Sequence, residues 1–184
     1  HDWEDLKKLI PHMLLEGIMG YPFSCPDMIG GGYFLSFLDD APIDQELVVR
    51  STQVHALMPM MQFSVAPWRI LDKRHFNAVL DAVNLREKFK ETILTLAKKA
   101  SINGEPIVRS MEYVYPHKGY VDITDQFMLG NSILVAPYLS KGEGSRKVIL
   151  PKGKWKSDAG KVYKGGKSIT INVPLTRLPY FVKE

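Results

Sequence analysis

Apolar residues recur at Leu6, Leu9, Ile10, Met13 and Leu14, the spacing of one buried helical stripe, and Gly17 follows as a stop signal before the apolar run from Ile18 to Phe23. The pattern predicts a helix, a short link and a buried strand. Gly30, Gly31 and Gly32 then make a flexible loop, and Asp27 sits in it. From Asp44 onward, Leu47, Val48, Ser51, Val54, Leu57 and Met58 suit a second helix, broken by Pro59. In the mixed stretch MMQFSVAPWRIL that follows, Pro67 is expected to end regular structure. A third helix is predicted from about His75 to Ala100, with Phe89, Ile93, Leu96 and Ala97 on its apolar stripe and Lys88, Lys90, Lys98 and Lys99 facing water. Asn103-Gly104 closes it, and Glu105 to Met111 is a strand candidate.

The texture changes past Gly119 to short apolar stretches punctuated by turn signals: FMLGN, SILVAPYL, RKVILPKGKW, GKVYKGGKS, ITINVPL and LPYFV. Alternation at Ile169, Ile171 and Val173, with a Gly-Gly pair at 165 and 166, predicts antiparallel hairpins of a small sandwich. The expected fold class is therefore α/β followed by all-β. Residues 1–118 read as the last βα units of a (β/α)8 barrel, and residues 119–184 as an antiparallel β-sandwich domain. A whole barrel takes about 250 residues, so the first part is expected to be incomplete. Unpaired strand edges and uncovered apolar surface would follow, and with them self-association.

Composition narrows the function classes. The chain has 184 residues, 45% of them apolar, and carries 24 basic against 20 acidic residues, interspersed along its length. That pattern predicts no nucleic-acid partner. No apolar run approaches the roughly 20 residues that cross a bilayer, so no membrane partner is expected either. The opening HDWEDLKKLI is neither a signal peptide nor a methionine start, and the chain reads as part of something longer. A single cysteine, Cys25, precludes an internal disulfide and leaves the compartment open.

Five scattered histidines and one cysteine make no metal constellation, and no P-loop, dinucleotide fingerprint or GxSxG elbow is present. No cofactor is expected. Loop carboxylates and loop aromatics remain, and these suit carbohydrate: carboxylates hold hydroxyls, and flat rings pack on the apolar faces of a pyranose. Asp27 leads, flanked by Pro26 and the glycine run; its alternative role is to cap the next turn. Trp68, between Pro67 and Arg69, fits a sugar platform and a core plug equally well. Trp155 and the sandwich tyrosines likewise fit core packing or stacking. Asp39, Asp40, Asp44 and Asp72 read as turn and helix-start residues.

The segment GIMGYPFSCPDMIGGGY is similar to a stretch of glycoside hydrolase family 31 that usually reads GIPFVGADIGGF, and Asp27 matches its sugar-lining aspartate. ELVVRSTQVHALMPMMQF, EPIVRSMEYVYP and DQFMLGNSILVAPYL resemble later segments in the same order, the last most closely. From Ser145 the chain is similar throughout to the family's proximal C-terminal β-sandwich. The resemblance implies a retaining α-glycosidase, in which one aspartate attacks the anomeric carbon and a second, about 5 to 5.5 Å away, protonates the leaving oxygen. It also implies that neither lies in this chain, with Asp2 on the wrong side of the acid/base position. The family's arginine-asparagine-histidine group is replaced by Gln62, Phe63 and Ser64. That form resembles a subgroup in which α-galactoside cleavage is implied for some members. The substrate-binding candidates are Asp27, Gln62, Ser64 and Trp68, the partner is a carbohydrate substrate, and a non-catalytic carbohydrate-binding or structural module is the alternative.

Overall fold

The computed structural model describes residues 2–30 and 43–184. Gly31, Gly32, Asp39, Asp40 and His1 lie outside the described residues. Helix α1 (Trp3–Ile18) starts where Asp2 accepts the Glu4 and Asp5 N–H groups, with the carboxylates of Glu4 and Asp5 in its first turn. Its stripe of Leu6, Leu9, Ile10, Met13 and Leu14 is buried, as the spacing predicts.

Gly17 is a helical residue and not a stop. A Cβ there would lie 2.9 Å from the Pro106 Cβ and 3.3 Å from the Val108 carbonyl, so glycine permits the close approach of α1 to the chain at 106–108. The buried strand expected from Ile18 to Phe23 is absent. Gly20 turns the chain at φ +93°, and Ile18, Met19 and Tyr21 are more than 60% exposed. These apolar residues meet no second sheet face among the described residues, so nothing holds them extended.

Helix α2 (Gln45–Ala56) is capped by the Asp44 carboxylate. Pro67, expected to end regular structure, instead opens the short helix α3 (Pro67–Ile70) at its first position, where a missing N–H costs nothing. Helix α4 (Lys73–Asn103) runs from an Asp72 cap to Gly104, which closes it in the left-handed conformation at φ +72°. The strand candidate after it shortens to β1 (Val108–Arg109), because Ser110 accepts the Tyr113 N–H and starts helix α5 (Met111–Val114).

Seven further strands follow: β2 (Phe127–Leu129), β3 (Ile133–Val135), β4 (Gly144–Leu150), β5 (Lys154–Ser157), β6 (Val162–Lys164), β7 (Lys167–Val173) and β8 (Tyr180–Lys183). Six form one antiparallel sheet in the order β1-β2-β3-β8-β5-β6, and β4 pairs with β7 in a second. The fold is thus antiparallel β-structure with helices. β1 pairs through Val108 with Leu129, so this sheet begins before residue 119.

Both faces of β2 and β3 in the larger sheet are buried. Phe127, Leu129, Ile133 and Val135 pack with α1 and α4, while Met128, Leu134 and Phe181 pack with Val148, Leu150, Ile171 and Val173 of the smaller sheet. Continuous apolar runs such as FML and ILV have this cause. Trp155 is fully buried in the second cluster, its indole N–H donating to the Pro151 carbonyl at 2.8 Å, which makes it a core residue. Gly165 and Gly166 are not a hairpin turn: β6 and β7 belong to different sheets. The pair carries the chain between layers, and a Cβ on Gly165 would fall 1.8 Å from the Pro151 oxygen.

Candidate functional site

Two segments far apart in sequence meet at one parallel bridge, Ile29 with Phe63. The Ile29 N–H donates to the Gln62 carbonyl at 2.8 Å, and the Ser64 N–H donates back to the Ile29 carbonyl at 3.1 Å. The Ser64 hydroxyl donates to that same carbonyl at 3.0 Å, which fills both its lone pairs. Three of the four sequence-predicted residues are thereby drawn to one edge: Asp27 two residues before Ile29, and Gln62 and Ser64 on either side of Phe63. Ile29 itself is buried, whereas Asp27, Gln62 and Ser64 are exposed.

Local bonds order the Asp27 segment. The Asp27 carboxylate accepts the Met28 N–H at 2.6 Å, and its backbone carbonyl accepts from the Cys25 thiol at 3.4 Å. The same carbonyl lies 2.7 Å from Nε2 of His55, a fully buried residue in the last turn of α2. Nδ1 of His55 is 2.7 Å from the Ser51 carbonyl. The imidazole thus ties the Asp27 loop to α2 across 28 residues of sequence. Burial pushes the His55 pKa below its ordinary value, opposed by the two carbonyls and the Asp27 charge and aided by Arg86. Burial also pushes the Cys25 thiol up.

The same end of α2 is held by Arg86 from α4. Its guanidinium donates to the carbonyls of Ala56 at 3.2 Å, Met58 at 2.7 Å and Pro59 at 2.9 Å, and to His55 at 3.5 Å. His55 and Ala56 are the last residues of α2 and Met58 and Pro59 follow it, so the cation sits at the negative pole of the helix dipole. The chain is thereby directed from α2 into the 62–64 segment. His55 and Arg86 did not emerge as site residues from the sequence. A histidine or arginine near a helix C-terminus is a recognisable capping signal, but its reach to a distant loop is not.

Trp68 lies on α3 and is 70% exposed, which excludes the core-plug reading. Asp2, Asp44 and Asp72 are all helix caps. Asp44 in addition accepts the Trp3 indole N–H at 3.1 Å and pairs with Lys141 at 2.8 Å. Among the described residues no group of three or more histidine, cysteine, aspartate or glutamate side chains is arranged to hold a metal ion. No helix among them is long and apolar enough to cross a membrane.

The sheet that begins at β1 is the part with a family assignment: residues 104–184 match the model of the glycosyl hydrolase family 31 C-terminal domain. These residues belong to glycosyl hydrolase family 31. Similarity to known proteins extends over nearly the whole chain. The mouse myogenesis-regulating glycosidase is 36% identical over 187 residues, which cover 96% of this chain and 26% of that protein. A SITS-binding protein from Tetronarce californica is 31% identical over 191 residues, or 100% of this chain and 27% of that one. A family 31 dextranase from Flavobacterium johnsoniae, solved with glucose, superposes with a TM-score of 0.87 at 30% identity, covering 98% of this chain and 23% of the dextranase. The chain thus spans about a quarter of the length of the curated relatives it matches.

Proposed function

We propose that this chain is the C-terminal part of a retaining α-glycosidase, contributing the sugar-facing rim of the active site and the β-sandwich that supports it. Residues 1–118 hold the last βα units of a (β/α)8 barrel in this reading, and residues 119–184 the proximal sandwich. The observation that carries it is the parallel bridge between Ile29 and Phe63, with α2 lying between them in sequence. A strand, a crossover helix and a parallel neighbour are the unit from which such barrels are built, and their loops carry the functional groups. Here the segments at the bridge bear Asp27, Gln62 and Ser64, and Trp68 follows on α3.

In this reading Asp27 accepts hydrogen bonds from sugar hydroxyls and Trp68 offers an apolar face to the ring. Ser64 acts as an acceptor, because its proton is engaged by the Ile29 carbonyl. The substrate is a terminal α-linked glucoside, galactoside or xyloside, a class supported by the dextranase solved with glucose and by a family 31 α-xylosidase from Xanthomonas citri. The nucleophile and the acid/base are supplied from outside these residues; Asp2, the carboxylate nearest to Trp3, is engaged as a helix cap.

Purified chain incubated with nitrophenyl α-glucoside, α-galactoside and α-xyloside is the test. The proposal expects no release of nitrophenol above background, since a retaining mechanism needs both carboxylates. Turnover at an enzyme-like rate would refute it.

A further inference from the structure

Charge is weighted toward the end of this chain. Residues 144–184 carry 10 basic residues, eight of them lysine, against Asp158 and Glu184, a net charge of +8. Residues 1–143 carry 14 basic and 18 acidic residues, a net charge of −4. Pairing differs in the same way. Four of the nine lysines of the first part pair with carboxylates, Lys7 with Glu4, Lys8 with Asp5, Lys90 with Glu87 and Lys141 with Asp44. In the second part Asp158 is taken by Arg177 at 2.7 Å, and none of the eight lysines forms an ion pair with a described residue.

The fold concentrates part of this charge. Along β5, Trp155 and Ser157 point into the core while Lys154 and Lys156 are exposed. Lys154 stands directly opposite Lys164 on β6, a like-charge cross-strand pair that works against the sheet. The two adjoining turns are locked together: the Gly165 N–H donates to the Gly153 carbonyl and the Gly166 N–H to the Leu150 carbonyl, both at 2.8 Å. The Lys152 side chain is brought against Gly166, its Cγ 3.3 Å from where a Cβ would sit. The result is a cleft lined by Lys152, Lys154, Lys164 and Val162, with Glu184 as its one carboxylate. Three cations without an ion pair among the described residues, two of them facing each other across the β5–β6 ladder, are complementary to a ligand bearing several anionic groups.

We propose that this cleft between β5 and β6 docks an anionic polysaccharide, one carrying sulfate or carboxylate groups. The inference goes beyond the reading of the Asp27 loop and does not depend on it, since the cleft is built from other elements. Single-stranded nucleic acid is disfavoured because such ligands need aromatic platforms. Here Trp155 is fully buried and Tyr163 packs edge-on against Phe181 at 5.9 Å. A saccharide polymer accords with the glycosyl hydrolase family to which these residues belong.

The test titrates the full 184-residue chain with size-defined heparin and with polygalacturonate, using neutral dextran and a short DNA duplex for comparison. Saturable binding to at least one of the two acidic polysaccharides is expected, weakening as salt rises, with no response to dextran. Lys164→Glu places a carboxylate opposite Lys154. It is therefore expected to leave the melting temperature unchanged or higher while weakening polysaccharide binding about tenfold or more. Lys152→Ala serves the same purpose should Lys164→Glu fold poorly. Lys147→Glu, on β4 opposite Thr170 and outside the cleft, is the control and should change binding far less. Failure to bind either polysaccharide, tighter binding of the DNA duplex, or equal weakening by the cleft variants and Lys147→Glu would each overturn the proposal.

Discussion

With both ring nitrogens 2.7 Å from carbonyl oxygens, His55 cannot satisfy both partners while neutral, because a neutral imidazole has one N–H and a carbonyl only accepts. Burial nevertheless holds its pKa below the ordinary value, so the folded chain binds fewer protons at this site than the unfolded chain. The stability this contributes is present above the unfolded pKa of about 6.5 and is lost as pH falls through the lower folded value. Asp44 and Asp72 are also held below their ordinary values, Asp44 chiefly by Lys141 and Trp3 working against burial and Asp72 by His75. Both are thereby held below the ordinary carboxylate range and far from the imidazole range, so the windows separate. Chemical denaturation at about pH 7.5 and about pH 5.5 should show a loss of stability on acidification, and His55→Gln should flatten it. An unchanged slope in the variant would remove His55 from this role. At this scale the caps Asp44, Asp72 and Gly104 were legible in the sequence, because a cap is a local bond. His55 and Arg86 were not, since their partners are set by tertiary packing.

Helix α1 was legible in its buried stripe and misread at its end, and Gly17 is the reason. A glycine after a helical pattern is an ordinary stop signal, yet here it serves a crossing that only the folded chain reveals. Gly17→Ala tests that explanation. Helix propensity alone favours alanine by about 1 kcal/mol. The added Cβ lies 2.9 Å from a proline ring carbon, which cannot swing aside, and overpacking of this kind typically costs about 1–3 kcal/mol. The variant should therefore be less stable than the parent, by up to about 2 kcal/mol, in urea denaturation. A stabilised variant would mean that α1 is free to move away from Pro106. The α2 element shows the same dependence on distant partners. Fully buried Arg50 reaches the carbonyls of Pro174, Val173 and Gly142, and the Gln53 amide donates to Leu175 at 2.6 Å. Nothing in the periodicity of Gln45–Ala56 signals that its inner face is polar on that side.

Across the whole molecule, the sheet order could not be read from the chain, because strands buried on both faces lose the alternation that distinguishes inside from outside. The Gly-Gly pair misled for a related reason: a turn signal does not say whether the strands it joins share a sheet. The apolar run after α1 has a consequence at this scale as well. Leu15, Ile18, Met19, Tyr21 and Phe23 are between 48 and 64% exposed, within nine residues of sequence. In the proposed parent enzyme further barrel units would cover such a surface, so the isolated chain should associate through it. Light scattering should show a mean mass that rises with concentration, and Ile18→Ser with Tyr21→Ser should reduce the rise. A strictly monomeric parent chain at high concentration would contradict this.

The central claim is that the edge drawn together by Ile29 and Phe63 is a sugar-binding rim. Titrating labelled chain with methyl α-glucoside and methyl α-galactoside while following its backbone amides by NMR tests this most directly. The account predicts saturable shifts for Asp27, Met28, Gln62 and Ser64 with at least one of the sugars, lost in Asp27→Ala. Shifts confined to the sandwich, or none with either sugar, would contradict it.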